Sequence, residues 1–413
     1  MRWQPRGLWK NPDFRKVWLS RTISNMGNAI TGIALPVIAI QILSATPGQI
    51  SVLSALDGMA VLLFGLAAGV WVDRVRRRSL MIATDLARAL LVSSIPVAAL
   101  FGMLNIQHLY IVAAVAACLS VFFQAADVAF FPDLIEGREL IEGNSKLGTS
   151  DALAEIAGPG AAGALIQLLS APLSLFVDGF SFLASAFFLA RIRKPEPIAA
   201  KDRDSTWRES VAGLRFVLKN SFLRTLAGSA ALFNFFGMFV GTLYALYVIR
   251  ALSVPPFLYG LLIASGGVSA LVGTWLAERV VQRFGLGFTI GGGLFAYGLL
   301  GLLIPFAHGP LPLVVALLFG SQLIGDASVS IHLIAELSLR QMLIPRHLLG
   351  RANAGILFLT RGTIPPGALL AGIIAERFGV RFTLFIGVLG VMMAGLWLLL
   401  SPVRRIRESE GLN

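Results

Sequence analysis

Twelve ionisable side chains lie inside or at the edges of long apolar stretches of this chain: Arg21, Asp57, Asp85, Arg88, Asp127, Asp151, Glu155, Asp178, Arg224, Asp326, Glu336 and Arg361. Charge in such surroundings is costly, and where it persists it marks an ion pair, a proton relay or a substrate path. The deepest are Glu155, Asp326, Arg361 and Asp57. A carboxylate drawn out of water can take up a proton and give it back, which is the chemistry that exchange of a substrate against protons requires. Asp326 and Glu155 are therefore the first coupling candidates. The rival reading makes permanent pairs of the same residues: Arg21 with Glu155, and Asp57 with Arg361. Asp85 and Arg88, three apart, are placed to pair along one helix. Asp178, near the outer end of its stretch, reads more readily as a structural cap.

The elements that hold these charges are long and apolar. Of the 413 residues, 56% are hydrophobic and 14% charged. A bilayer core about 30 Å thick takes about 20 residues of helix. Spans are expected at roughly 17–42, 49–71, 79–102, 108–131, 147–170, 173–190, 222–249, 256–277, 286–305, 311–338, 352–375 and 382–402. Runs this continuous exclude barrel strands, which alternate in polarity, and leave helices as the form that satisfies the backbone in lipid. The fold class is all-α, polytopic, with twelve transmembrane helices.

Charge sets the orientation. Of 34 Lys and Arg, 27 fall at the two ends and in the even-numbered connections, 3 in the odd-numbered ones (Arg250, Arg377, Arg381), and four inside or beside spans. Basic connections stay cytoplasmic, so both termini are expected there, and an odd number of spans would break the asymmetry. The net charge of +12 thus reads as a topology signal, with a nucleic-acid patch disfavoured because the charges are scattered over short loops. A cleaved signal peptide is not expected. Cys118 is the single cysteine and the four histidines are scattered, so neither a disulfide, a metal site nor a cofactor is expected. No Gly-x-Ser-x-Gly, His-Glu-x-x-His or Gly-x-x-x-x-Gly-Lys-Ser/Thr segment is present, which argues against an enzyme or an ATP-driven pump.

The chain repeats itself at a shift of 209 residues. Leu134-Ile135 aligns with Leu343-Ile344, Leu140 with Leu349, Asn144 with Asn353, Gly158 with Gly367, Gly163 with Gly372, and the acid Asp127 with Glu336. Two six-helix bundles are expected, residues 1–190 and 222–413, the latter with a short cytoplasmic tail. Between them, 191–221 forms a polar cytoplasmic linker whose end, Trp207–Leu218, reads either as a surface helix or as a solvated segment. Parallel repeats with a site near midplane are a common transporter plan. Gly158, Pro159 and Gly163 read as a helix-interface motif, small residues allowing close approach and the proline a bend; Pro365-Pro366-Gly367 offers a similar break.

The segment Gly69-Val70-Trp71-Val72-Asp73-Arg74-Val75-Arg76-Arg77-Arg78 resembles the signature loop of the major facilitator superfamily, departing at Arg76 where glycine is common. A degenerate copy follows the eighth span: Gly273, Glu278-Arg279 and Arg283. Gly158-Pro159-Gly160-Ala161-Ala162-Gly163 is similar to the superfamily's exporter motif, and Pro132–Asn144 and Pro345–Asn353 resemble the bacterial branch that includes macrolide-efflux proteins and the enterobactin exporter. The resemblance covers the whole chain. It implies that helices one, four, seven and ten line a central cavity, which makes Asp326 the best-placed acid, and that helices two, five, eight and eleven meet between the halves. It also implies a cytoplasmic latch: Gly69, Asp73, Arg74, Arg77 and Arg78 packing on Gly350–Asn353, with Asp127 as the acid partner, mirrored by Glu278, Arg279, Arg283 and Glu336. The alternative is that these charges only fix topology. The branch often carries an acid in helix one where this chain has Asn28.

Cavity candidates are Asn25 and Asn28 on the first span, where Ser20, Ser24 and Asn28 share a face, and Asn234, Phe239 and Tyr247 on the aromatic seventh span, whose other rings read as lipid-facing. Together these features imply a secondary exporter of amphipathic small molecules, drugs or siderophore-like metabolites, working by proton antiport and alternating access. An importer, or a lipid or lysophospholipid transporter on the same fold, is the alternative, and a sensor or scaffold of transporter shape is a further class. A monomer in the bacterial cytoplasmic membrane, meeting substrate, protons and the lipid bilayer and no nucleic acid, is expected.

Overall fold

The computed structural model describes residues 7–72, 74–135, 139–194, 215–345 and 348–406. No strand occurs among the described residues. Twelve helices are long and apolar enough to cross a membrane. They are α1 (Pro12–Ile42), α2 (Pro47–Val72), α3 (Arg77–Leu100), α4 (Ile106–Leu134), α5 (Leu140–Leu169), α6 (Ala171–Ala190), α7 (Ser221–Ala251), α8 (Pro256–Phe284), α9 (Leu286–Phe306), α10 (Leu311–Leu343), α11 (Gly355–Phe378) and α12 (Val380–Leu400). Several run one or two turns past the apolar stretch that announced them. The expected surface helix Trp207–Leu218 lies mostly outside the described residues; residues 215–219 are helical, and Val217 is buried against Leu223 and Ile356.

The 209-residue shift recurs in the backbone. Asn11 caps α1 through its side chain, accepting from the amides of Asp13 and Phe14 at 2.9 and 3.2 Å, and Asn220 caps α7 in the same way at 3.0 and 3.1 Å. An asparagine at this place satisfies amides that the first turn leaves unpaired. Both helices end in a wide π turn, Ile38–Ile42 and Tyr247–Ala251. Both are followed by a serine with positive φ, Ser44 at 51° and Ser253 at 54°. Ser170 at 92° and Gly379 at 88° begin α6 and α12. Each pair differs by 209 in number.

The two prolines of α11 act as their chemistry demands. Proline lacks an amide hydrogen and fits the first turn of a helix. The helix accordingly breaks after Arg361 and restarts at Ile364, with Pro365 in the new first turn. Asn234 donates to the Thr360 carbonyl at 3.0 Å, and the Thr363 hydroxyl bonds the Ala231 and Thr360 carbonyls at 3.0 and 2.7 Å. These bonds serve backbone groups that lipid could not. α5, by contrast, runs through Pro159 as one helix.

Two compact units divide the chain. The first draws on Met1–Ala45, Met59–Asp202 and Pro256–Ala264; the second on Thr46–Gly58, Arg203–Pro255 and Ser265–Asn413. The division does not follow a single cut at the central linker: the start of α2 is counted with α11, and the start of α8 with α5.

Candidate functional site

In the first unit, a single guanidinium joins three helices. Arg21 of α1 reaches Asp127 of α4 at 3.1 Å and Asp151 of α5 at 2.8 Å, and the Asn25 amide donates to the other oxygen of Asp151 at 2.7 Å. Asp127 is 7% exposed. The expected partner of Arg21, Glu155, is instead exposed. One turn of α5 separates Asp151 from Glu155, and the rotation of the helix selects the former. One cation between two carboxylates leaves the cluster with a surplus negative charge, which a proton or a second cation would neutralise. Asn25 is therefore committed to Asp151, whereas Asn28 is exposed.

The signature loop is only partly visible: Asp73 lies outside the described residues. Arg77 pairs with Asp133 and donates to the Ala129 carbonyl at 3.1 Å. Arg78 donates to the last carbonyls of α6, Leu189 at 2.9 Å and Ala190. Cations suit that end of a helix. Arg74 is exposed, and Gly69 has open space where a side chain would begin. Among the described residues Asp127 bonds Arg21, and Arg77 and Arg78 bond the ends of α4 and α6. The residues of the mirror set have partners of their own. Glu278 accepts from Gln282 on its own helix, Arg279 lies over the Trp275 ring at 4.0 Å, and Arg283 over Phe284 at 5.6 Å. Glu336 is met by Arg340, one turn further along α10, at 3.3 Å.

The acid Asp326 of α10 is half-buried beside α8, where its carboxylate occupies the place a Gly266 side chain would take. Next to it Gln322 donates to the Tyr244 hydroxyl at 3.4 Å. Asp57 and Arg361 make no ion pair with each other among the described residues. Three of the five cavity candidates are taken up by packing or by backbone partners. Asn234 serves the break in α11, Phe239 is fully buried among Phe235, Phe236 and Gly387, and the Tyr247 hydroxyl donates to the Ala307 carbonyl at 3.3 Å. Phenylalanine on an apolar helix carries no sign of whether it faces core or cavity, and packing decides.

Small residues make two close crossings at equivalent places of the repeat. In the first unit α5 meets α8: Gly163 abuts the backbone of Pro256 and Phe257, and Gly260 abuts the Pro159 carbonyl. In the second unit α11 meets α2: Gly372 abuts Ser51 and the Gly48 backbone. Gly163 and Gly372 are 209 apart, as are Ser51 and Gly260. Glu376 adds a bond that the sequence reading missed. Its carboxylate accepts from the Thr46 hydroxyl at 2.9 Å and the Gly48 amide at 3.1 Å, capping the start of α2 from far along the chain. No local pattern announces a cap supplied from 330 residues away.

Asp85 and Arg88 pair as their spacing suggests, and both are buried, at 0% and 3% exposure. Ser185 donates to Asp85 at 2.6 Å and is bonded to Ser20 at 2.7 Å, while Arg88 donates to Ser120 at 3.3 Å and lies between the rings of Phe123 and Phe182. Asp178 is bonded by Thr31 and by Ser181. These groups tie α1, α3, α4 and α6 together and read as architecture.

A family model described as transmembrane secretion effector matches residues 5–412. The multidrug efflux pump Tap of Mycolicibacterium fortuitum is 27% identical over 93% of this chain and 94% of its own length. An MFS-type transporter of Bacillus subtilis, YfiS, is 26% identical over 95% and 93%. Among solved structures, a bacterial homologue of the iron transporter ferroportin in an inward-facing state superposes with a TM-score of 0.76 at 19% identity, covering 95% of this chain and 99% of that one. The nucleoside transporter NupG superposes at 0.80 with 10% identity, covering 94% and 99%. With twelve apolar helices and a match along nearly its whole length, the chain belongs to the transmembrane secretion effector family of major facilitator transporters.

Proposed function

We propose that this transporter exports amphipathic small molecules in exchange for protons, its two six-helix halves alternating about a midplane site in the bacterial cytoplasmic membrane with both termini inside. The observation that carries this reading is the half-buried carboxylate of Asp326, held beside α8 by the space at Gly266, in a chain similar over nearly its full length to a multidrug efflux pump. A carboxylate in that setting can take a proton from the outer side, keep it through the change of form and release it inside, where substrate then binds, so substrate and proton take turns. Arg21 with Asp127 and Asp151 supplies a second surplus of negative charge, and Glu155 stands exposed one turn away. The twin crossings at Gly163–Gly260 and Gly372–Ser51 support rocking, since glycine contacts slide without unpacking large side chains.

The test is ethidium efflux from a host stripped of its own pumps. The wild-type chain is expected to lower accumulation and to lose that effect when an uncoupler is added. Asp326→Asn is expected to abolish uphill efflux, with Glu155→Gln less affected. Undiminished uncoupler-sensitive efflux by Asp326→Asn would remove that residue from the mechanism, and efflux untouched by the uncoupler would remove the proton.

A further inference from the structure

Near the cytoplasmic end expected for α10, three side chains stand one turn apart on one face: His332, Glu336 and Arg340. His332 is 2% exposed and Glu336 3%. Ala335 and Leu339 of the same stretch of α10 belong to a core cluster with Ile290 and Leu294, and the Phe233 ring lies 6.4 Å from the imidazole. The imidazole has room because α9 carries glycine opposite it: a side chain on Gly293 would lie 3.2 Å from the His332 Cβ.

The hydrogen bonds determine which protons are present. His332 Nδ1 lies 2.7 Å from the Ile290 carbonyl oxygen. A carbonyl only accepts, so Nδ1 carries the hydrogen. In a neutral ring Nε2 then presents a lone pair. That lone pair faces Glu336 Oε2 at 3.9 Å. Two acceptors brought near one another in a buried site repel, and one proton on either converts the repulsion into an attraction. Glu336 has capacity to spare. Its Oε2 accepts from Arg340 at 3.3 Å, but its Oε1 is buried with no partner, as is the Arg340 Nε. Other ionisable groups on the packed helices are committed elsewhere or lie at other levels. On α9 the one such group is Tyr297. On α8, Glu278 is bonded to Gln282, and Arg279 and Arg283 lie over Trp275 and Phe284. On α7, Arg224 donates to the Leu218 carbonyl, and Tyr244 is bonded by Gln322. Asp326 is six residues before His332, on the far side of nearly two turns.

We infer that His332 and Glu336 form a one-proton binding site in the second half of the transporter, with Arg340 as the cation that holds the carboxylate when the proton is absent. The proton enters on Nε2 or on the carboxylate and leaves by the same atoms; no covalent bond other than N–H or O–H changes. That this site takes part in coupling rests on the antiport reading above; that it binds a proton does not.

The experiment labels the four histidines of the full chain with nitrogen-15 in lipid nanodiscs and follows the ring nitrogens by NMR, with His332→Gln supplying the assignment. In the wild type, Nδ1 of His332 is expected to keep its hydrogen throughout while Nε2 changes state between about pH 5 and 9. Glu336→Gln is expected to move that change by at least about one pH unit, and Glu336→Asp to restore it in part, which controls for misfolding. An Nε2 that stays in one state across the range, or that changes at the same pH in the wild type and Glu336→Gln, would overturn the proposal. In a second arm, Glu336→Gln and His332→Gln are expected to lose pH-gradient-driven ethidium efflux. If both retain it, the site binds a proton without coupling it. If the wild type itself shows none, the antiport reading fails while the NMR result still decides the site.

Discussion

Arg88→Ala is expected to cost the protein about 3–5 kcal/mol, the range for removing one partner of a buried ion pair. The reason lies with what remains. Asp85 is fully buried and would keep only the Ser185 hydroxyl at 2.6 Å for its charge. The guanidinium also fills the space between Phe123 and Phe182, whose rings it approaches at 4.6 and 4.3 Å, so the deletion opens a cavity and forfeits two cation–π contacts. Four helices of the first unit meet at this point. Thermal unfolding of the purified protein, followed by the dye reactivity of Cys118, should show a marked fall in transition temperature. The double variant Asp85→Leu with Arg88→Met should recover much of the loss, because apolar replacements of similar volume leave no buried charge behind. A single variant as stable as the wild type, or a double variant worse than the single, would show that the pair is not what holds these helices.

Gly260→Val should abolish transport while leaving the chain in the membrane. A Cβ at this position would stand 2.4 Å from the Pro159 carbonyl oxygen and 3.1 Å from the Gly163 Cα. Both obstacles are backbone, so neither can rotate aside, and α8 must move off α5 to admit the side chain. The twin position makes an informative partner, since a Cβ at Gly372 would meet the Ser51 side chain at 2.3 Å and the Gly48 Cα at 3.0 Å. Gly237→Ala serves as the control. Nothing lies within 4 Å of its new carbon, and alanine favours a helix over glycine by about 1 kcal/mol. Efflux and membrane abundance measured together distinguish a jammed crossing from a lost protein. Normal efflux by Gly260→Val would mean that close approach of α5 and α8 is dispensable.

Much of the architecture was legible because it rests on length and chemistry rather than on facing. A helix that crosses lipid must be long and apolar, and Leu286–Phe306 or Val380–Leu400 announces itself by that alone. The recurrence of Leu134-Ile135, Leu140 and Gly163 at one offset pointed to a repeat, and the caps Asn11 and Asn220 keep the same offset. Partners were far less legible. Two acids one turn apart on α5 do not disclose which of them faces α1, so Arg21 could be assigned to Glu155 when the structure gives it Asp151. Phe239, on an apolar helix, looked like cavity lining because its facing was equally unmarked. His332 was set aside as one of four scattered histidines, although His332, Glu336 and Arg340 at four-residue spacing form a pattern that a helix brings to one face. Glu376 carried no local signal, because its bond partners lie at the start of α2.

The equal spacing of the paired backbone features bears on the history of the chain. From Asn11 to Ser170 in the first half, and from Asn220 to Gly379 in the second, most side chains differ, yet the paired features keep one offset with no net gain or loss of residues. Surface loops in most proteins tolerate such changes freely. Here the wide turn closing the first helix, the serine after it and the point where the sixth helix begins have kept step through that divergence. Connections of equal length give the two halves the same angle at which one helix hands over to the next.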